Sequence, residues 1–333
     1  MVQQLLIQYK QILSDYIANR QEQNLYVGQN YVRQLMKKNV APEDVINIHK
    51  KAIEEIYDDL PEKLSYAYEF LIEVMVQFGL KFREHQSLLI KQEELRIEMD
   101  IATRIQNHLL KTTVPQIESL DIGMLSIPLR QMNGDCVYCF LYDKKDYLSF
   151  AVTDVVGKGV PAALCMSMVK NGLETLEYAN NNPSHVLEVL NRIIEKSVDD
   201  SMFVSSFYGR YDLANDVLTY GSAGHEPGLY FRASDESFHD LESKGLLLGV
   251  LPEVKYPQFD IQLKENDFVV IMTDGVTEIR DIEVNESRNI IKEITYLHRH
   301  LSAQEICEKV YSELQKLQDY AMKDDFTIFI LKK

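Results

Sequence analysis

Residues 147–164, YLSFAVTDVVGKGVPAAL, hold the pattern that decides the fold of this chain. Apolar side chains alternate with smaller ones over residues 148–152, which is typical of a β-strand with one buried face. Asp154 stands at the carboxyl end of this strand, and Gly157 and Gly159 permit a tight turn before a helix begins. A single carboxylate in such a place is more often a turn residue or a helix cap than a functional group. The stretch therefore predicts a strand, a turn and a helix, with an acidic residue at the bend.

The same design recurs in residues 267–278, DFVVIMTDGVTE, where a run that is apolar on both faces predicts a central strand ending at Asp274. A third aspartate, Asp135, precedes another predicted strand, and the pair Asp324 and Asp325 leads into the last one. Each aspartate alone is weak evidence, because Asp is an ordinary turn former. Their shared position at strand ends is the pattern that suggests a common site.

A common site would carry an electrostatic cost. Two like charges 4 Å apart repel by about 4 kcal/mol at an effective dielectric constant of about 20. A divalent cation relieves that repulsion, and a set of oxygen ligands favours Mg²⁺ or Mn²⁺ over zinc. Two such ions can activate a water molecule for attack on phosphorus. The sequence pattern by itself does not establish that the strand ends converge.

Strands separated by turns are predicted throughout the chain after Pro115, and helices interrupt them. Consecutive strands with segregated helices indicate an α+β domain with largely antiparallel sheets. The predicted strands cover residues 120–127, 137–143, 147–153, 203–211, 216–221, 228–233, 267–273 and 326–331, and the predicted helices cover residues 160–179, 183–198 and 302–320.

The first part of the chain has a different pattern and reads as helical. Only Gly28 and Gly79 of the 14 glycines precede residue 120. Apolar residues recur at three- and four-residue steps in four segments, which predicts a small helical bundle. Pro42 can occupy the first turn of the third helix, because the N–H that proline lacks is not needed there.

The fourth helix is expected to continue, since residues 85–110 contain neither proline nor glycine. Its apolar residues at intervals of seven are Leu88, Leu95, Ala102 and Leu109. This spacing resembles about three heptads of a coiled coil, although Gln92 and Gln106 interrupt the seam. A plain connecting helix is an equal alternative. We therefore expect an all-α bundle for partner binding or dimerisation over residues 1–84, a linker helix over 85–117 and a catalytic domain over 118–333.

The composition of the chain disfavours several classes of partner and site. A net charge of −16 disfavours nucleic acid and anionic membranes as partners. We expect neither a signal peptide nor a membrane helix, and four cysteines in 333 residues fit a cytoplasmic protein with reduced thiols. Cys136 and Cys139 form a C-x-x-C, but their odd spacing on a predicted strand directs them to opposite faces. A zinc or redox site is therefore not expected there.

Five motifs, taken together and in this order, resemble the SpoIIE-like branch of the metal-dependent protein phosphatases over about residues 118–333. Each motif alone is unspecific, whereas their order and spacing are specific. They are Gly134-Asp135, Asp154-x-x-Gly157-x-Gly159, residues 222–227 (SAGHEP), residues 274–278 (DGVTE) and residues 324–327 (DDFT).

The resemblance implies a β-sandwich flanked by helices, with a centre of two Mn²⁺ or Mg²⁺ ions. The catalytic residues would be Asp135, Asp154 and Asp274. The metal ligands would be Asp135, Asp154, the backbone carbonyl of Val155, Asp274 and Asp324. Asp324 fits the family motif better than Asp325, but the adjacent pair leaves this choice open.

The resemblance also implies a substrate and partners. The substrate would be a phosphoserine on an anti-anti-sigma protein, and its hydrolysis would activate a general stress sigma factor. A kinase-like activator protein would bind the N-terminal bundle, and the helical segments would form a homodimer. One difference from the family motifs supports an alternative to the enzymatic function. The chain has Asn133 where many relatives have glycine, and residues 137–139 hold no second acidic residue. A regulatory scaffold with little or no catalysis is the competing hypothesis.

Two further residues have open roles. Lys158 could orient a phosphate, although a solvated turn lysine is the simpler interpretation. The P-loop pattern is not met around it. His225 could act as a general acid, or it could have a structural role in its turn.

Overall fold

The computed structural model describes residues 2–38, 40–57, 61–129, 132–142, 146–157, 159–176, 182–198, 202–279, 282–318 and 324–333. The contacts between residues divide the chain into two compact units, Met1–Glu98 and Met99–Lys333.

The first unit is helical, as the sequence predicts. Tyr31 donates from its hydroxyl group to the carbonyl oxygen of Leu5 at 2.9 Å, and both residues lie in the small core. His49 bonds through Nδ1 to the Tyr9 hydroxyl at 2.9 Å and through Nε2 to the Tyr68 hydroxyl at 3.2 Å. Its ring therefore connects three helices. The helices are α1 Val2–Asn19, α2 Glu22–Lys37, α3 Pro42–Ile56 and the first part of α4 Glu62–Leu109.

Helix α4 extends without interruption over 48 residues, which confirms the expected continuation. The residues of the predicted seam are largely exposed within the single chain, where Leu88 is 60% and Leu95 is 62% accessible. No helix among the described residues combines the length and the apolar character that crossing a membrane requires.

The second unit contains two five-stranded antiparallel sheets. The orders of their strands are β1-β10-β9-β6-β7 and β2-β3-β4-β5-β8. The strands are β1 Asp121–Ile127, β2 Asp135–Leu141, β3 Tyr147–Val155, β4 Val204–Asp212, β5 Val217–Ala223, β6 Leu229–Arg232, β7 Ser237–Asp240, β8 Gln258–Gln262, β9 Phe268–Met272 and β10 Phe326–Lys332. The helices are α5 Val160–Leu176, α6 Pro183–Ser197, α7 Asp274–Thr277, α8 Val284–Leu297 and α9 Ala303–Leu317. The predicted α+β class with a sandwich flanked by helices is confirmed.

The sequence prediction missed four elements of this unit, and one of them is the four-residue helix α7. Strand β8 is an edge strand whose residues alternate between exposed and half-buried, so few apolar residues mark it. Strand β7 has only four residues, and α8 follows a segment without a clear helix start. The predicted strand at 137–143 is also corrected, because β2 begins at Asp135 itself.

Three apolar clusters hold the layers together. One lies between the sheets, where Phe150 stacks on Phe329 with ring centroids 4.5 Å apart. The other two fill the spaces beneath the helices of each sheet. Cys136 belongs to a cluster under the helices and Cys139 to the cluster between the sheets. The two thiols therefore face opposite sides of β2, as predicted, and burial raises the pKa of each to about 12.

Candidate active site

Asp135 and Asp154 face each other at one end of a sheet. Asp135 is the first residue of β2 and pairs in register with Asp154, near the end of antiparallel β3. Directly opposed residues in such a ladder have Cα atoms about 4.5–5.5 Å apart. Asp135 is only 2% exposed. Burial, and then the charge of Asp154, raise the pKa of Asp135 well above its ordinary value.

The end of the other sheet meets this pair. Thr273, which follows β9, donates from Oγ1 to Oδ2 of Asp135 at 2.8 Å. The backbone N–H of Thr273 donates to the carbonyl of Thr327 at 3.0 Å, which joins the ends of β9 and β10. Residues 138 positions apart in the chain therefore come into contact. The convergence of strand ends that the sequence left unresolved is present in the fold.

Asp274 stands beside this junction, in the first turn of α7. Burial raises the pKa of Asp274 to about 7, and the neighbouring carboxylates, Asp154 first, act in the same direction. The following residue, Gly275, lies so close to the last motif that a Cβ atom there would be 2.0 Å from the backbone oxygen of Asp325. This close approach requires glycine.

Asp324 and Asp325 differ in their surroundings. Both carboxylate oxygens of Asp325 accept backbone N–H groups, from Leu129 at 2.7 Å and from Gly134 at 2.6 Å. The Asp325 N–H itself donates to Oδ1 of Asp324 at 3.0 Å. Asp325 thus holds the backbone at Leu129 and at Gly134, which directly precedes Asp135.

The donor chemistry of the site fits a divalent cation. Burial is the main cause that raises the pKa of Asp154 to about 6, and the charges of Asp324 and Asp325 add to it. Carboxylates that repel one another in a buried place are relieved by Mg²⁺ or Mn²⁺, whose preferred ligands are oxygens. In the part of the chain that the structure describes, no group of three or more His, Cys, Asp or Glu side chains is arranged so that it could hold a metal ion. The fit to a cation therefore rests on the chemistry and burial of the carboxylates.

His225 is buried and contacts a residue of the strand that pairs with β3. Its side chain is 3% exposed, and its Nδ1 bonds to the Ser205 hydroxyl at 2.9 Å. Ser205 is the β4 residue paired with Asp154. Burial lowers the pKa of His225 to about 4, so the ring is neutral near pH 7. This position supports the structural role over that of a solvent-facing acid.

Sequence reasoning missed the hydroxyl residues that support the aspartates. Thr273 directly precedes Asp274, and Thr327 ends the DDFT motif, so each lay within a stretch already singled out. The available signal was a threonine within two residues of a motif aspartate, at the end of an otherwise apolar run. Lys158 lies outside the described residues, and its role in orienting a phosphate stays a prediction.

Comparison with known proteins identifies the relatives of both units. The family model described as "Stage II sporulation protein E (SpoIIE)" matches residues 144–333, and "Phosphoserine phosphatase RsbU, N-terminal domain" matches residues 7–81. Phosphoserine phosphatase RsbU of Bacillus subtilis (strain 168) is 44% identical over 325 residues, covering 98% of this chain and 96% of that protein.

Solved structures share the fold. The SiaA-PP2C domain of Pseudomonas aeruginosa superposes with a TM-score of 0.62 at 17% identity, covering 73% of this chain and 98% of that one. The PP2C phosphatase domain of SpoIIE from Bacillus subtilis, with a fragment of its regulatory domain, gives a TM-score of 0.57 at 18% identity. That match covers 66% of this chain and 64% of the other.

Proposed function

Because this chain belongs to the RsbU-like members of the SpoIIE serine phosphatase family, we propose that it hydrolyses phosphoserine on a protein substrate with the help of divalent cations. The observation that carries the proposal is the meeting of Asp135, Asp154 and Asp274 at one end of the sandwich. All three carboxyls have a raised pKa there. The carboxylates of a buried acidic cluster of this kind repel one another when no cation is bound, and a bound divalent cation relieves this repulsion.

The residues that would hold two Mn²⁺ or Mg²⁺ ions are the aspartates of the four acidic motifs. Asp324 is the better candidate of the adjacent pair, because both oxygens of Asp325 already accept backbone N–H groups. Bound ions would supply Lewis acidity and would lower the pKa of a water nucleophile. The proposed ligands are Asp135, Asp154, the carbonyl of Val155, Asp274 and Asp324.

The residues of the chain itself prepare this chemistry. The Thr273 hydroxyl fixes one oxygen of the Asp135 carboxylate. The close approach of Gly275 to Asp325 keeps Asp274 beside the last motif. In the hydrolysis, a water oxygen forms a bond to phosphorus while the bond from phosphorus to the serine oxygen breaks. The serine oxygen takes up a proton, and inorganic phosphate leaves without a covalent enzyme intermediate.

We assign the substrate and the regulation from the relationship to RsbU. The substrate is a phosphoserine on an anti-anti-sigma protein, and its dephosphorylation activates a general stress sigma factor. The helical region matched over residues 7–81 is the proposed docking site of a kinase-like activator. The proposed organisation is a regulatory domain over 1–84, a linker helix over 85–117 and a phosphatase domain over 118–333, in a cytoplasmic homodimer.

One observation favours a second candidate function. Val137, Tyr138 and Cys139 occupy the stretch where a second acidic residue is common in the wider family, and all three are buried. A site with fewer acidic groups holds cations less strongly, which would suit a scaffold that binds partners without turnover.

The decisive experiment is a Mn²⁺ titration of phosphate release from a serine-phosphorylated substrate protein, with wild type and Asp274→Asn compared. We expect Mn²⁺-dependent release by the wild type and loss of release in the variant, whose circular dichroism spectrum stays native. Full turnover by Asp274→Asn would refute the metal assignment. Absence of turnover by the wild type at every Mn²⁺ concentration, together with intact partner binding, would favour the scaffold.

A further inference from the structure

Gln106, which interrupts the apolar seam of α4, is buried in the second unit. Its side chain is 3% exposed, whereas the preceding Ile105 is 56% exposed. The amide nitrogen of Gln106 donates to the carbonyl oxygen of Asn133 at 2.7 Å. The backbone N–H of Asn133 donates to the amide oxygen of Gln106 at 3.1 Å. Both polar ends of one side chain are therefore matched to the two backbone groups of a single residue.

Asn133 is the residue that supports the turn into Asp135. Its side-chain oxygen accepts the N–H of Asp135 at 2.9 Å, and its side-chain nitrogen donates to the Ser126 hydroxyl at 2.9 Å. The Ser126 hydroxyl lies 3.0 Å from that of Thr327, in the last motif. The side chain of Asn133 thus links the first strand of one sheet to the first strand of the other, at the end where the aspartates meet.

We propose that Gln106 is a positioning residue of the phosphatase centre, which holds the backbone of Asn133 so that Asp135 keeps the orientation needed to bind a divalent cation. The inference rests on the proposed function. Asp135 is buried and pairs in register with Asp154, and its backbone N–H is held by the side chain of Asn133. The hydrogen bonds from Gln106 fix the backbone of Asn133 from outside the acidic cluster.

The chemistry of the glutamine side chain is specific for this role. A glutamate at position 106 would still accept the N–H of Asn133, but it would place a second acceptor against the Asn133 carbonyl. A leucine of similar size would leave both backbone groups without a partner. The last turns of α4 are then part of the catalytic unit, in agreement with the division of the chain at Met99.

The test uses the full chain and direct Mn²⁺ binding, measured by calorimetry, beside kinetics and melting temperature. The variants are Gln106→Leu, Gln106→Glu and Asn133→Ala, and the control is Asn107→Ala, which changes the exposed neighbour on the same turn. Loss of residues that orient metal ligands typically weakens metal affinity by about 10- to 100-fold. We expect an increase of that size in the Kd for Mn²⁺ in the three variants, with kcat at saturating Mn²⁺ and the KM for phosphoprotein near wild-type values. The control should bind Mn²⁺ as the wild type does.

A second comparison separates positioning from simple stabilisation. If Gln106 acts through Asn133, the double variant Gln106→Leu with Asn133→Ala weakens Mn²⁺ binding by less than the product of the two single effects. Wild-type Mn²⁺ affinity in folded Gln106→Glu and Asn133→Ala, even with a lowered melting temperature, would overturn the inference and leave the proposed function intact. Absence of Mn²⁺ binding by the wild type would overturn both.

Discussion

At the scale of single residues, the acidic cluster makes stability depend on pH in the cation-free protein. The carboxyls of Asp154 and Asp274 have an ordinary pKa of 3.8, and the fold raises these pKa values to about 6 and about 7. A raised carboxyl pKa stabilises the folded state fully below the unfolded value, and this contribution is lost as pH rises through the folded value. Their contribution to folding therefore declines as pH rises through the range from about 6 to about 7.

The first prediction is that the melting temperature of the chelator-treated protein falls between pH 6.5 and pH 8. The interval begins at pH 6.5 because of His225. Burial lowers the pKa of His225 from 6.5 to about 4, so that its protonation destabilises the fold only below pH 6.5. Scanning calorimetry at several pH values measures the trend. Mn²⁺ should stabilise the protein more at pH 8 than at pH 6.5, because cation binding displaces protons from these carboxyls.

Asp274→Asn is the matched control for this trend, since it removes the group with the pKa of about 7 and keeps a side chain of the same size. Its cation-free melting temperature should decline less steeply over the same pH interval. Equal slopes for the two proteins would mean that Asp274 does not titrate in the fold as its surroundings indicate.

At the scale of secondary structure, local patterns predicted most elements, whereas the site required pairing over long distances. Alternation of apolar residues was enough to identify β3, and a fully apolar run was enough for β9. The register that places Asp135 opposite Asp154, and the hydrogen bond from Thr273 to Asp135, depend on how the sheets stack. No local pattern in the sequence encodes that stacking.

Gln106 illustrates the same limit. Within α4 its sequence position marks only a polar interruption of a heptad seam. Its partner Asn133 is 27 residues away, in a turn whose own pattern predicts nothing beyond a bend. The adjacent pair Asp324 and Asp325 is similar, since the backbone N–H groups that occupy Asp325 come from Leu129 and Gly134, which are distant in the sequence.

The second prediction concerns the contact between α7 and the start of β10. Gly275→Ala places a methyl group 2.0 Å from the backbone oxygen of Asp325, and backbone atoms on both sides must shift. Overpacking of this kind costs about 1–3 kcal/mol, and more where the backbone resists. We expect a lower free energy of unfolding of the second unit and weaker Mn²⁺ binding, measured by denaturant titration and calorimetry.

Gly28→Ala serves as the comparison for this substitution. Gly28 lies within α2, where a Cβ atom would meet nothing within 4 Å. Alanine in such a helical position stabilises by about 0.5–1 kcal/mol relative to glycine. A Gly275→Ala protein as stable as the wild type, with unchanged Mn²⁺ binding, would show that α7 and β10 can separate at no cost to the site.

At the scale of the whole molecule, the two units share α4, which passes through the division between residues 98 and 99. Its exposed side includes Leu88, Leu95 and Leu109, which are separated by multiples of seven residues and are 60%, 62% and 49% accessible. Apolar residues at this spacing are stabilised when a second helix covers them. The net charge of −16 opposes association of two copies at low ionic strength, so pairing would have to come from this apolar surface.

The third prediction follows from that surface: the full chain is a dimer, and Leu95→Glu converts it to a monomer. Burial of one leucine side chain contributes about 1.5–3 kcal/mol, and each dimer would bury two copies of Leu95. Loss of both should weaken association by at least about 100-fold, since 1.4 kcal/mol corresponds to a factor of ten. Sedimentation equilibrium at several protein concentrations measures the change, and Glu94→Gln, on the adjacent exposed position, is the control.

Because Leu95 lies outside the second unit, the Kd for Mn²⁺ should stay at the wild-type value. A wild-type chain that sediments as a monomer at all concentrations would exclude the paired helix and leave α4 as a connecting helix.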